Sequence, residues 1–127
     1  NKLYEVDKLV FLTNPNRIED IFSEFKQIIG LGKRAYNELV KNVSKILGGP
    51  ISMLDVVTNV GAIDYDNLLM IHDKHDAVLP HTNSFQINSD IQKSQLISLE
   101  KIGHYKMLWN EEVVGRAVSF VEGKEVL

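Results

Sequence analysis

Three short apolar runs divide the chain, and segments with helical periodicity separate them. The runs cover residues 8–13, 68–71 and 95–99, and they lack the strict polar alternation of a strand with one exposed face. Parallel strands that are covered on both faces have this pattern. The sequence therefore predicts three buried strands.

Helices are predicted between and after these runs, where apolar residues recur three and four positions apart. The first helix is expected to have Asn14 as its cap and Pro15 at its first position, and to end at Gly30. The last helix is expected to begin at Asn110, whose side chain can cap it. The other helices are predicted at residues 36–47, 51–60 and 80–90, and the last helix is expected to bury Val113, Val114, Ala117, Val118 and Val121.

Strands that alternate with helices indicate an α/β fold. We expect three layers, α/β/α, with a partial parallel sheet of about three strands and flanking helices. A sheet this narrow leaves its apolar outer strands as edges. We therefore expect part of the fold to lie outside this chain, and the isolated chain to self-associate through an exposed sheet edge.

Composition narrows the functional classes. The 127 residues are 44% hydrophobic and 24% charged, as in one globular domain. The net charge of −3 argues against a nucleic-acid partner, and no apolar run is long enough for a membrane span, so a soluble, cytoplasmic protein is expected. The absence of cysteine excludes disulfides, thiolate zinc sites and a cysteine nucleophile. Any nucleophile must therefore be oxygen or nitrogen.

Polar clusters follow two of the apolar runs. Residues 72–76 read His-Asp-Lys-His-Asp, and Gly103 and His104 follow the third run. Functional residues of open parallel sheets gather beyond the carboxyl ends of the strands. A carboxylate after one strand can therefore bond to a histidine after the next, and the histidine can then act as a base. Asp73 is predicted immediately beyond the strand, whereas Asp76 comes one turn later, where a loop can aim it sideways.

These clusters resemble two motifs of the α/β-hydrolase fold. The segment IHDKHDAVLP at 71–80 resembles the motif after the seventh strand, whose acid falls on Asp76, and LEKIGHYKML at 99–108 resembles the motif after the eighth strand, whose histidine falls on His104. The segment KLVFLTNPNRIEDIF is similar to the sixth strand and its exit, and residues 15–60 resemble the inserted helical lid. Asp73 is a departure, because the family often has glycine there.

The resemblance implies that residues 1–127 are the C-terminal portion of a single α/β-hydrolase domain of the serine esterase and lipase type. It implies hydrolysis of an ester, thioester or similar acyl bond of a small substrate, with Asp76 and His104 as the acid and histidine of a triad and without a cofactor. None of the eight serines lies in the family's G-x-S-x-G elbow. The nucleophile is therefore expected upstream of Asn1, in the N-terminal part of the same fold, which is the expected partner.

Other interpretations stay open at this point. Asp76 also has the position of an aspartate that caps a turn. His72, His75 and His81 could bind a metal together with Asp73, but no second ligand cluster supports such a site, and no metal is expected. His72 is expected to pack or bond at the strand end, with His75 and His81 in solvent. The functional alternatives are a non-catalytic binding or interaction protein on the same scaffold, or a fragment that is inert when isolated.

Overall fold

The computed structural model describes residues 4–126, which form one parallel sheet with helices on both faces. Two short 3-10 helices lie at Ile51–Leu54 and His104–Lys106. The strands are β1 (Tyr4–Leu12), β2 (Ile63–Asp73) and β3 (Ser94–Leu99), and the α-helices are α1 (Ile18–Ile28), α2 (Lys33–Leu47), α3 (Val56–Val60), α4 (Thr82–Asp90) and α5 (Glu111–Val121).

The sheet has the order β1-β2-β3, and both strand pairs are parallel. Leu9 pairs with Leu68 across β1 and β2, and Met70 pairs with Leu96 across β2 and β3. β2 is central, and its residues 68–73 are all buried. The predicted α/β fold class with three parallel strands is therefore confirmed.

The two faces of the sheet bury separate apolar clusters because successive strand residues point to opposite sides. On one face, Leu69 and Ile71 pack with residues of α5 such as Val113 and Phe120. On the other face, Leu68 and Met70 pack with Ile87 of α4, and α3 adds partly buried valines. Helices therefore cover both faces. The three layers follow because successive apolar residues of β2 point to opposite faces of the sheet.

The strands are longer than their apolar runs. β1 begins at Tyr4 instead of residue 8, and β2 begins at Ile63 and includes His72 and Asp73. The early residues of β1 and β2 pair with each other beyond the core, where Glu5 is exposed. These ends are paired through the backbone, which the hydrophobic pattern does not mark.

The predicted start of α1 is wrong. The helix begins at Ile18, and its N-cap residue Arg17 makes no side-chain capping bond. Asp55, which lies 37 residues away, instead accepts a hydrogen bond from the Ile18 backbone N–H at 2.9 Å. The loop before the helix is held by Asn83, whose side-chain oxygen accepts from the Asn16 N–H at 3.0 Å. Tertiary contacts therefore replace the local cap that Asn14 and Pro15 predicted.

The start of α5 is as predicted, but its buried face differs. Asn110 accepts a hydrogen bond from the Val113 N–H at 3.1 Å and so caps the helix. Val113 and Phe120 are buried, whereas the predicted core residues Val114, Val118 and Val121 are exposed. The helix is turned toward the sheet so that Phe120, which the prediction omitted, fills the core.

Helices α1 and α2 contribute no buried residue to the core. Ile28 of α1 is 75% exposed and Ile46 of α2 is 85% exposed. Helices α1 and α2 thus stand apart from the sheet core, whereas α3, which also belongs to the predicted lid segment 15–60, packs against it through Val56 and Val57. Over residues 4–126 no helix is long and apolar enough to cross a membrane.

Candidate active site

The candidate site lies where β2 and β3 end, at the same edge of the sheet. Asp73 is the last residue of β2, not the first residue beyond it as predicted, and a turn leads from it to Asp76. His104 begins the short 3-10 helix that follows the loop after β3. The parallel pairing of the two strands brings both loops to one place.

Asp76 and His104 lie within hydrogen-bond distance of each other. Nδ1 of His104 is 2.9 Å from Oδ2 of Asp76, although 28 residues separate the two in the chain. The Asp76 side chain is fully buried, whereas 23% of the His104 side chain is exposed. The acid is therefore shielded from water, and the histidine can reach another group.

The other oxygen of Asp76 holds its own loop. Oδ1 accepts hydrogen bonds from the backbone N–H groups of Val78 at 2.8 Å and Leu79 at 2.9 Å. The turn-capping role and the contact with His104 therefore coexist on different oxygens of one carboxylate. Burial raises the pKa of Asp76, but the N–H groups of Leu79 and Val78 and the His104 ring outweigh it, and the pKa lies below its ordinary value of 3.8. Asp76 is consequently ionised at neutral pH.

The contact with Asp76 fixes the tautomer of neutral His104. An ionised carboxylate can only accept hydrogen bonds, so Nδ1 carries the proton and Nε2 presents a lone pair. Within residues 4–126, Nε2 of His104 makes no hydrogen bond, and none of the eight serines bonds to the ring. The arrangement can accept a proton at Nε2 from a group that lies outside these residues.

His72 holds the loop that carries Asp76 from within the core. This agrees with the prediction that His72 packs or bonds at the end of its strand. Its ring is fully buried, with Nε2 at 2.9 Å from the Leu79 carbonyl and Nδ1 at 2.6 Å from the Ser84 hydroxyl. Because a carbonyl only accepts, Nε2 donates to Leu79, and in the neutral ring Nδ1 accepts from Ser84. Nε2 also lies 3.4 Å from Oδ2 of Asp76. His72 thus ties the loop of Asp76 to α4.

The two remaining histidines have different surroundings. His75 is exposed, as predicted. The prediction that His81 lies in solvent is wrong, because its Nε2 is 2.8 Å from the Ser98 hydroxyl and its ring packs edge-on against His72 at 5.5 Å. Burial, His72 and Lys74 lower the pKa of His81 below 6.5. Over the described residues, no three His, Asp or Glu side chains are grouped so as to hold a metal ion.

Asp73 is almost completely buried and bonds to both loops. Its Oδ1 accepts from the His75 N–H at 2.8 Å, and its Oδ2 accepts from the N–H groups of Ile102 at 2.5 Å and Gly103 at 2.6 Å. Burial raises the pKa of Asp73, but the hydrogen bonds from Gly103, His75 and Ile102 outweigh it, and the pKa lies below 3.8. The sequence indicated no such role for this residue, since backbone donors leave no mark in sequence.

Gly103 adopts a backbone conformation that side chains disfavour, with φ 78° and ψ 156°. Such a conformation is almost restricted to glycine. We predict that Gly103→Ala lowers the free energy of unfolding by about 1–3 kcal/mol, measured by urea denaturation. A Cβ would contact no atom within 4 Å at this position, so the cost is backbone strain.

The matched control for this prediction is Gly115→Ala. Gly115 lies inside α5, and a Cβ there likewise has no neighbour within 4 Å. Alanine favours a helix interior over glycine, so this variant is expected to be about 0.5–1 kcal/mol more stable than the parent. Equal urea midpoints for Gly103→Ala and the parent would contradict the predicted strain.

A cavity of about 240 Å³ adjoins His104. It lies between the end of β1 and the loop after His104, although His104 follows β3 at the other edge of the sheet. Exposed apolar side chains form part of its wall. The cavity is lined by Leu12, Thr13, His104, Tyr105, Met107, Leu108 and Trp109.

Thr13 is a further residue of this cavity that the sequence did not indicate. It follows β1 with φ 52°, which is unfavourable for a β-branched residue. Its Oγ1 is buried and has no hydrogen-bond partner within residues 4–126. Strain and an unpaired hydroxyl cluster at functional positions. Neither property has a sequence signature, because both depend on backbone conformation and neighbours.

Comparisons with known proteins do not assign a family. A scan against models of protein families found no match, and no curated protein matches this chain.

Proposed function

We propose that this chain supplies the acid and the histidine of a serine hydrolase that cleaves an ester, thioester or similar acyl bond. The observation that carries the proposal is the hydrogen bond between Asp76 and Nδ1 of His104, with Nε2 left free of protein partners within residues 4–126. A buried, ionised carboxylate behind a partly exposed imidazole is the arrangement that prepares a histidine to act as a base.

In the proposed reaction, Nε2 of His104 removes the proton of a serine hydroxyl as the serine oxygen attacks the acyl carbon. Asp76 holds the ring through Nδ1–H and stabilises the imidazolium that forms. His104 then gives the proton to the leaving alcohol or thiol, which departs from the acyl-enzyme. Water hydrolyses the acyl-enzyme by the same route, since His104 accepts one proton of water and returns it to the serine oxygen.

The proposed serine lies in a segment that precedes Asn1. This location is supported by the free edge of β1, because within residues 4–126 β1 pairs only with β2. A further parallel strand at that edge would end beside the cavity that contains His104 and Thr13. A nucleophile at the end of such a strand would lie beside the cavity that His104 lines.

A small acyl substrate is supported by the size and lining of this cavity. About 240 Å³ accommodates a short acyl chain, and Leu12, Leu108 and Trp109 offer apolar contacts. Leu108 and Trp109 are 69% and 68% exposed, so their apolar surface is available to a substrate. The helical segment 15–60, on this proposal, has the role of a lid.

Covalent labelling of the protein extended upstream of Asn1 tests the proposal. A fluorophosphonate is expected to modify one serine that precedes Asn1, as located by mass spectrometry of peptides, because only an activated serine reacts quickly with this reagent. His104→Ala is expected to suppress the labelling, and His75→Ala, which changes an exposed histidine, is expected to leave it intact.

Labelling on any of the eight serines of this chain would contradict the proposed location of the nucleophile. The absence of any labelled serine in the extended protein would contradict the hydrolase itself. That result would favour the alternative of a non-catalytic binding protein on the same scaffold.

A further inference from the structure

The contact between Asp76 and His104 does not explain why the carboxylate of Asp73 is buried beside them. A buried carboxylate is costly unless hydrogen bonds compensate it, and Asp73 is only 1% exposed. Its two oxygens accept three backbone N–H groups at 2.5–2.8 Å, and these donors belong to two different loops. His75 lies in the loop that carries Asp76, whereas Ile102 and Gly103 lie in the loop that carries His104.

The loop before His104 is strained at the point where Asp73 binds it. Lys101 has φ 63° and Gly103 has φ 78°, so the two residues that flank Ile102 both adopt the left-handed half of backbone space. Such conformations persist where surrounding contacts over-determine them. The two N–H groups bonded to Oδ2 of Asp73 belong to Ile102 and Gly103, inside this strained stretch.

Asp73 does not compete with Asp76 as the acid. Both of its oxygens are occupied by backbone donors, and the ring of His104 bonds to Asp76. The two aspartates therefore have different partners: Asp76 bonds to the imidazole and to N–H groups of its own loop, whereas Asp73 bonds to backbone N–H groups of both loops.

We propose that Asp73 is a positioning residue, whose buried carboxylate joins the loop of Asp76 to the loop of His104 and sets the 2.9 Å contact between them. His104 directly follows Gly103, so a shift of the Gly103 N–H moves the imidazole. A misplacement of about 1 Å can lower catalysis about 10²-fold. The negative charge matters, because hydrogen bonds from N–H groups to a carboxylate are stronger than those to a neutral acceptor.

The substitution Asp73→Asn tests this role with little change in size. An asparagine has one acceptor oxygen and places an NH₂ group where the carboxylate had its second oxygen. It therefore leaves either the His75 N–H or the pair at Ile102 and Gly103 facing a donor. The loop of His104 is expected to shift, and the hydrogen bond to Asp76 is expected to weaken.

NMR of the Nδ1 proton of His104 measures this hydrogen bond without any substrate. In the parent chain the proton is expected to give an observable signal, which Asp76→Asn identifies by removing it. Asp73→Asn is expected to exchange this proton with water at least about tenfold faster. An unchanged Nδ1 proton in a folded Asp73→Asn chain overturns the proposal.

Asp55→Asn is the matched control. Asp55 also accepts a backbone N–H, from Ile18 at 2.9 Å, but it belongs to neither of the two loops. Its substitution is expected to leave the Nδ1 proton unchanged, so a general loosening of the fold is distinguished from the specific effect of Asp73.

A second measurement needs no variant and applies even if Asp73→Asn does not fold. Amide hydrogen exchange in the parent chain is expected to show protection of the Ile102 and Gly103 N–H groups, because both are bonded to Asp73. Exchange of these two amides as fast as that of an unprotected loop overturns the proposal.

The catalytic meaning of this inference rests on the proposed hydrolase function, but the NMR and exchange results do not. In the protein that is extended upstream of Asn1 and carries the active serine, Asp73→Asn is expected to lower kcat per labelled active site about 10²-fold. KM is expected to stay nearly unchanged. A purely structural role would reduce the number of labelled sites and leave kcat per site as in the parent. Failure of the parent to hydrolyse any ester would contradict the function and leave the hydrogen-bond test valid.

Discussion

Replacing His104 by alanine in the protein extended upstream of Asn1 is expected to lower kcat for a short p-nitrophenyl ester by about 10⁴- to 10⁶-fold. The loss follows because alanine cannot take the serine proton, and serine at its ordinary pKa is a weak nucleophile. On the proposed function, the substrate binds against the apolar walls of the cavity, so KM is expected to change much less than kcat. Steady-state kinetics across a range of ester concentrations separates the two constants.

Asp76→Asn provides the companion variant for this result. Asparagine preserves the size of the side chain but favours the wrong tautomer of the histidine, and a loss of about 10⁴-fold in kcat is expected. His75→Ala is the matched control, because His75 is exposed and lies in the same loop. A kcat for His104→Ala within tenfold of the parent would exclude His104 as the base.

Truncation of Leu69 is expected to cause the largest loss of stability, about 3–5 kcal/mol. Leu69 is fully buried in the central strand β2, where it packs between strand neighbours and α5. Alanine there removes apolar contacts and leaves a cavity that neighbouring strands cannot fill by moving. Because domains are stable by only about 5–15 kcal/mol, this change removes much of the total.

Urea denaturation of the chain measures this effect, and Leu108→Ala is the control with identical chemistry. Leu108 is 69% exposed, so its truncation is expected to cost less than about 0.5 kcal/mol. If Leu69→Ala and Leu108→Ala had equal urea midpoints, the assignment of β2 to the centre of the core would be wrong.

The sequence predicted the architecture because the deciding signals are local. Each apolar run predicted a strand that the structure contains, and the runs lie within Tyr4–Leu12 or just past its end, within Ile63–Asp73 and within Ser94–Leu99. Gly48 ends α2 in the left-handed conformation that glycine favours, and Asn110 caps α5 as predicted. These features depend on residues a few positions apart, so one sequence is enough to predict them.

The proximity of Asp76 and His104 also followed from the sequence, although the two are 28 residues apart. Parallel strands bring their carboxyl ends together, so residues that follow neighbouring strands are brought close by the fold class alone. Their catalytic role stays a prediction, because it depends on a nucleophile, and within residues 4–126 no serine bonds to His104.

The sequence-based predictions were wrong where the outcome depends on a contact between residues far apart in the chain or on how a helix packs against the sheet. The start of α1 depends on Asp55, and the partial burial of His81 depends on Ser98 and His72. The rotation of α5 that buries Phe120 instead of Val114 is decided by packing on the sheet. Helical periodicity alone could not choose between two adjacent apolar faces.

By itself, the sequence determined the α/β class, the number of strands and which loops carry the polar residues. Hydrophobic periodicity and the glycines, prolines and capping residues between the elements set these features locally. Only the tertiary structure decided what Asp73 does, since the sequence had already assigned the contact with His104 to Asp76. Asp73 and Asp76 are alike in type and three positions apart in sequence, yet Asp73 bonds to backbone N–H groups of both loops, whereas Asp76 bonds to N–H groups of its own loop and to an imidazole. The role of Asp73 depends on where the loop after β3 places its backbone N–H groups. The residue types in that loop do not reveal this position, because every residue except proline has a backbone N–H group.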